Sequence, residues 1–407
     1  MRLIAALLFL GLLTLIGSRF ATRRWTPPRW IKQFFDSGLA FVFLGLTVGP
    51  AGLSILDEAV LEQLRPIVLI CLGWIGFLFG IHLEGKRLVR IPARLWLVIL
   101  GESSLTLLLV LTAMFLFFIP TFIHESFYDQ RWPALLTIAV CAAGTAPGAV
   151  FLFTSRPGFP RPLGRALRLV ATLDDLPGLL VFGLLFAWWP TRPLGPFETA
   201  AGLLWTLLYL PLGLLLGFLL KSTAALARRE QTHFLAVLGT IAFGAGLAAR
   251  LQLSPLVLGA VAGAAFANTA GKKEAIYALL VRSEHPIFVL FMILVGCQWT
   301  FASGHLIGLT ALYLTARLLG KALGGAGVAW VMAAPERRYY LSGLGLLGQG
   351  GMAVAMAIDY ARAYPSAISA TLVTVLLLGV LGNELFASLA TLLPFGRQSD
   401  AEARSRR

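Results

Sequence analysis

Asp174 and Asp175 stand side by side in the middle of an otherwise apolar segment, from Ala166 to Trp189, that is long enough to cross a bilayer. A carboxylate at mid-bilayer depth costs at least ~2.5 kcal/mol, and folding a membrane helix requires none, so an intramembrane acidic pair marks a function. Away from water the charged form is disfavoured unless a proton or another cation compensates it. A hard monovalent ion such as Na+ or Li+ prefers oxygen ligands, which carboxylates and the carbonyls of an unwound helix both supply. One carboxylate that takes either a proton or an alkali cation, but not both, has the chemistry of exchange. Neighbouring residues on a helix point ~100 degrees apart, so the two aspartates need not share one ligand sphere.

The elements that must hold this pair are legible from composition. Of 407 residues, 58% are hydrophobic and 13% charged, a balance that excludes a soluble globular domain and predicts an all-α polytopic membrane protein. Windows of ~17–25 apolar residues predict thirteen transmembrane helices. Their approximate spans are 1–17, 37–55, 65–83, 95–120, 133–154, 167–189, 199–220, 232–249, 252–269, 285–300, 303–333, 338–360 and 367–394. One membrane domain over 1–394 and a short basic tail, 395–407, follow, with no soluble domain expected at either end.

The formal charge of +14 is distributed by topology and not as a nucleic-acid footprint. Arginine and lysine crowd into alternate loops, for example Arg19 to Lys32, Lys86 to Arg94 and Arg156 to Arg168. The positive-inside rule then sets the N-terminus outside and the C-terminal tail in the cytoplasm. Residues 1–17 also read as a cleavable signal peptide, but the strong positive cluster follows the apolar stretch, which favours a retained helix in the reverse orientation. Cys71, Cys141 and Cys297 read as packing residues with no disulfide or metal-ligand spacing, and the five histidines as residues of helix ends and loops.

Two helices are interrupted at mid-depth. The fifth contains Gly144, Pro147 and Gly148, and the twelfth contains Gly343, Gly345, Gly348, Gly350 and Gly351 around Gln349. Proline removes a backbone donor and clustered glycine lowers the cost of unwinding, although small residues also serve close helix packing. The two interruptions lie seven helices apart, an odd offset, so the segments cross the membrane in opposite directions. The same offset relates Asp174 and Asp175 on the sixth helix to Asn383 and Glu384 on the thirteenth, and Glu102 on the fourth to Arg317 and Lys321 on the eleventh. This pattern predicts inverted repeats with two discontinuous crossing helices around one site, the best sequence pointer to a transporter's binding site. Arg317 and Lys321, four apart, share a helical face. Either could be the charge partner of Asp174, and both could instead snorkel from a helix end. Glu102 reads as structural, Asp359 as solvated near the outer end of its helix, and Glu384 as either a structural ion-pairing or capping residue or a transport residue.

In order and spacing these residues resemble the monovalent cation/proton antiporters, in particular the cation:proton antiporter-2 branch with NapA and the membrane part of Kef-type systems, and more remotely NhaA, the fold that serves as a standard case of inverted repeats. The stretch from Gly45 to Leu53 is similar to that branch's second-helix signature, and Gly76 to Glu84 to its third-helix ending. Asp174 and Asp175 match its double-aspartate motif. Gly320 to Gly324 resembles the lysine motif of NhaA, and Gly348 to Gly351 the broken helix of Kef-like proteins.

The resemblance implies an NhaA/NapA-like fold, interleaved dimer and core subdomains, and a homodimer in a bacterial inner membrane that exchanges Na+ or Li+ for H+ by alternating access, electrogenically, with no cofactor. It makes Asp175 the residue that binds the monovalent cation or the proton, Asp174 the partner of the membrane lysine, and Thr145 the threonine of a Thr-Asp-Pro motif. Ala146 departs from that motif and leaves coordination to carbonyls and water. Gln349, Gly350, Pro147, Asn383 and Glu384 become supporting residues. The segment from Ala316 to Gly320 also resembles the arginine motif of electroneutral exchangers, so the choice between Lys321 and Arg317 stays open. A Kef-type K+/H+ antiporter is the alternative within transport. An intramembrane aspartyl enzyme is disfavoured, because adjacent residues of one helix cannot form a dyad across two facing helices.

Overall fold

The computed structural model describes residues 2–22, 34–121, 128–156, 158–189, 198–226, 230–270, 274–299, 306–334 and 336–391. Among them there is helix and turn but no strand. Labels follow chain order: α1 Arg2–Thr22, α2 Leu39–Val48, α3 Glu58–Ile81, α4 Ala93–Thr121, α5a Tyr128–Ala143, α5b Pro147–Thr154, α6a Arg161–Leu173, α6b Asp175–Trp188 and α7 Glu198–Leu226. After these come α8 Glu230–Arg250, α9 Pro255–Thr269, α10 Glu274–Cys297, α11 Leu306–Val331, the 3₁₀ segment α12a Arg337–Leu346, α12b Gly351–Ala363 and α13 Ala367–Ala390. Among the described residues nine helical stretches are long and apolar enough to cross a membrane, or ten if the bent α12 pair is one span. Leu3–Arg19, Leu39–Val48 and Pro255–Thr269 are shorter apolar helices. The predicted tail 395–407 lies outside the described residues.

Several boundaries differ from the sequence reading for local reasons. The expected helix 37–55 is helical only over α2, because Pro50 has no N–H to donate and Gly49 turns extended; residues Leu53 and Leu56 then fold back onto Thr47 and Val48 carbonyls. At its other end Gly38 adopts φ 82°, a left-handed conformation that glycine tolerates. Helix α3 starts at Glu58, earlier than expected, because the Asp57 side chain accepts the Val60 N–H at 2.8 Å and caps it. The sixth helix, expected to be continuous, divides at Asp174. Pro177 has no N–H for the Leu173 carbonyl four residues back, so the hydrogen-bond ladder skips there.

Helices α1, α2, α3, α8, α9 and α10 pack largely on one another, and α4, α5, α6, α11, α12 and α13 do the same. Close approaches rest on small residues. A Cβ at Gly76, Gly80, Gly259 or Gly263 would strike backbone across the α3–α9 contact, and a Cβ at Gly320 would meet Thr106 at 2.7 Å across the α11–α4 contact. Gly324 lies directly against Glu102 in the same seam, so Gly320 and Gly324 form a small-xxx-small face. That seam brings Lys321 to Glu102.

Two other expectations change. Asp359 is fully buried, because the Arg362 guanidinium pairs with it at 2.8 Å and the Ser254 hydroxyl donates to its second oxygen. His285 lies inside α10 and not at a helix end; His124 and His305 fall outside the described residues. The three described cysteines are buried thiols. Replacing Gly324 with valine should cost roughly 1–3 kcal/mol through overpacking of the α11–α4 seam, read as a lower unfolding temperature in detergent. Gly327→Ala, with open space around its Cβ, should leave that temperature unchanged.

Candidate functional site

The two interrupted helices cross antiparallel. The Cys141 thiol donates to the Ala353 carbonyl at 3.3 Å, the Thr145 hydroxyl to the Leu346 carbonyl at 3.2 Å, and the Ala146 N–H to the Gly348 carbonyl at 2.8 Å. Further along, the Tyr339 hydroxyl contacts the Gly158 carbonyl. From Cys141 to Gly158 the partner positions run back from Ala353 to Tyr339, which is the crossing expected of inverted repeats.

The interruption releases backbone groups in a known order. In an unbroken helix the carbonyls of Cys141, Ala142 and Ala143 would accept from residues 145, 146 and 147. Here the Thr145 N–H turns to Asp174 Oδ1 at 3.3 Å, the Ala146 N–H turns to Gly348, and Pro147 has no N–H. Each freed carbonyl finds another donor: Cys141 accepts Gln349 Nε2 at 2.8 Å, Ala142 accepts Arg317 Nε at 3.0 Å, and Ala143 accepts the Lys321 ammonium. Arg317 also donates to the carbonyls of Gly144 at 2.7 Å and Leu347 at 2.6 Å, and so ties the carbonyl ends of both breaks together. Its side chain is wholly buried, as is that of Lys321, so neither snorkels.

Lys321, and not Arg317, faces Asp174. Its Nζ lies 3.0 Å from Asp174 Oδ2 and 2.8 Å from Glu102 Oε1. Glu102, taken from sequence as structural, is therefore an ion-pair partner of the membrane lysine. Its signal was present in sequence as the seven-helix offset to Lys321, but only the glycine seam shows that the two meet. The opposite break mirrors this arrangement. The Gln349 N–H donates to Glu384 Oε1 at 3.1 Å, as Thr145 does to Asp174, and Asn383 Nδ2 donates to Gln349 Oε1 at 3.0 Å. Gln349 also meets the Tyr313 hydroxyl at 2.7 Å, a contact the sequence did not signal. Pro147 opens α5b and Gly350 caps α12b.

Asp175 differs from its neighbour. It begins α6b, is partly buried, and its Oδ1 is buried with no hydrogen-bond partner. That oxygen rests on Gly144, where any Cβ would collide with it, so glycine is what lets the carboxylate reach the break. An acceptor left so, next to an interrupted helix, is costly until a proton or cation joins it. A cavity of about 430 Å³, lined by Asp36, His285, Phe288, Pro147, Gly350 and Glu384, reaches the crossing. A second, of about 490 Å³, lies among Glu58, Arg65, Trp299 and Arg362.

Two antiparallel discontinuous helices, with buried charges on their half-helix ends and an orphaned carboxylate between them, define a secondary transporter of the inverted-repeat class. Residues 7–389 match the family model described as sodium/hydrogen exchanger, transmembrane, and the chain belongs to that family of cation/proton antiporters. The structure is similar to that of the sodium proton antiporter MjNhaP1 from Methanocaldococcus jannaschii at pH 8, with a TM-score of 0.63 and 16% identity, covering 95% of this chain and 100% of that one. No curated protein matches the sequence. The family and the solved neighbour are transporters, not enzymes.

Arg317→Met would leave three buried carbonyls without their donor. We expect it to lower stability by roughly 3 kcal/mol or more, seen as earlier thermal unfolding, with Arg317→Lys restoring only part because lysine lacks the planar fork.

Proposed function

We propose that the chain exchanges Na+ or Li+ for H+ by alternating access, with Asp175 as the carboxylate that holds either the cation or the proton. The observation that carries this reading is the buried, unpartnered Oδ1 of Asp175 beside the opened backbone of residues 144–146. A cation there would draw on that oxygen, on backbone carbonyls and on the Thr145 hydroxyl, all oxygen donors suited to a hard monovalent ion. A proton on the same oxygen would exclude the cation. Asp174, already engaged by the Thr145 N–H and by Lys321, acts as the charge partner. Arg317 supports a fixed role, since its donors are spent on carbonyls and it cannot give up its proton.

Because the partner of Asp174 is a lysine, we infer an electrogenic cycle. The two groups of helices that pack among themselves support a division into a dimer part and a core part that moves as a unit, within a homodimer of an inner (plasma) membrane. The cavity at the crossing is lined by Asp36, Val281 and Glu284, close in sequence to the basic residues Lys32 and Arg282, and this supports a cytoplasmic opening by the positive-inside rule.

Purified protein in liposomes with an imposed pH gradient tests this reading. Na+ or Li+ added to one side should move protons, and Asp175→Asn should abolish the movement. A native chain that moves no proton with either ion, or full activity in Asp175→Asn, defeats it; a response to K+ alone reassigns the ion. In the same liposomes Lys321→Gln should reduce the charge moved per cation, and an unaltered current would remove the lysine from the electrogenic step.

A further inference from the structure

Glu102 has no part in the exchange just described, yet it is among the most deeply placed charges in the molecule. Its residue is 2% exposed, on α4, which carries neither interruption nor either aspartate. Oε1 pairs with Lys321 and lies 3.5 Å from the Thr106 hydroxyl, while the buried Oε2 has no partner. An ammonium has three donors, and Lys321 has three acceptors around it: Glu102 Oε1, Asp174 Oδ2 and the Ala143 carbonyl. The lysine is thus shared between two carboxylates. Arg317 on the same helix and Asp175 on α6b also interact electrostatically with this group, and Glu384 of α13 interacts with Arg317.

Sharing has a consequence for cation binding. A cation entering beside Asp175 has to attract Asp174, or at least tolerate its engagement with Lys321. If Asp174 were the lysine's sole anion, loosening that pair would strand a buried ammonium, which is strongly unfavourable. With Glu102 in place the ammonium keeps an anion when Asp174 turns away. We propose that Glu102 is a positioning residue of the cation site: it draws the Lys321 ammonium off Asp174 and thereby sets how readily a monovalent cation competes for that carboxylate. This rests on the exchange reading for its setting but makes a separate claim about affinity.

The test is cation-dependent proton transport in liposomes with Na+ and Li+ for the native chain, Glu102→Gln, Lys321→Gln and the double variant. Glu102→Gln should raise KM for the cation roughly tenfold, the loss of one charge-assisted hydrogen bond to the lysine, and the effect should fall on KM more than on the maximal rate. In the Lys321→Gln background the same substitution should change KM little, because Glu102 acts through the lysine. Glu102→Asp should fall between native and Glu102→Gln, and it carries the test with the double variant if Glu102→Gln does not accumulate. A native KM in Glu102→Gln and Glu102→Asp, or an equal rise with and without Lys321, overturns the proposal. Thermal stabilisation of the detergent-solubilised protein by NaCl or LiCl, against choline chloride, reads binding without exchange. The order of half-saturating concentrations should match the order of KM. Half-saturation that rises from native through Glu102→Asp to Glu102→Gln, without proton movement, defeats the exchange reading alone; no stabilisation by either salt overturns the present inference, since nothing then competes with Lys321.

Discussion

Two helices stop in the middle of an apolar bundle, and every backbone group they release has to be satisfied there, because hydrocarbon offers no hydrogen-bond partners. The rest of the centre follows from that constraint. The carbonyl ends of the breaks carry partial negative charge and the amide ends partial positive charge. Arg317 and Lys321 meet the former, and Asp174 and Glu384 meet the latter. The charges that look expensive in sequence are those the open backbone requires.

Once these demands are met, buried acceptors of Asp175, Glu102 and Asn383 are left without hydrogen-bond partners among the described residues, and that of Asp175 lies against the open backbone. Asp174 is spent on Thr145 and Lys321, Glu384 on Gln349, and Arg317 on three carbonyls, whereas Asp175 Oδ1 has nothing. A site that must take up and release its ligand needs such a remainder. The arrangement also separates two tasks between adjacent residues: the ~100 degree turn between them points Asp174 at the lysine and Asp175 at Gly144.

Much of this was legible in the chain, and for reasons that can be named. Pro147 and the glycines near Gln349 foretold the interruptions because they remove a donor or lower the cost of unwinding, and their odd offset foretold the antiparallel crossing. The ends of elements were less legible. The early stop of α2 at Gly49 and Pro50 and the division at Asp174 by Pro177 depend on single missing N–H groups inside apolar runs, and hydropathy does not register them. Asp359 was misplaced because a carboxylate near a helix end looks solvated until Ser254, from a distant part of the chain, is found beside it.

What the sequence determined by itself was the class of the molecule: apolar spans, the sidedness of charge, two weak points in the backbone, and acidic and basic residues at repeat-related positions. These are properties of local composition and period, and they survive without knowledge of contacts. Which charge meets which was decided by the tertiary structure alone. Arg317 and Lys321 share a helical face and both were open as partners of Asp174. The choice was made by the close approach of α4 to α11 at Gly320 and Gly324 and by the positions of the freed carbonyls. Pairing across the bundle depends on distances of a few ångströms between residues more than a hundred positions apart, and no local pattern in the chain encodes them.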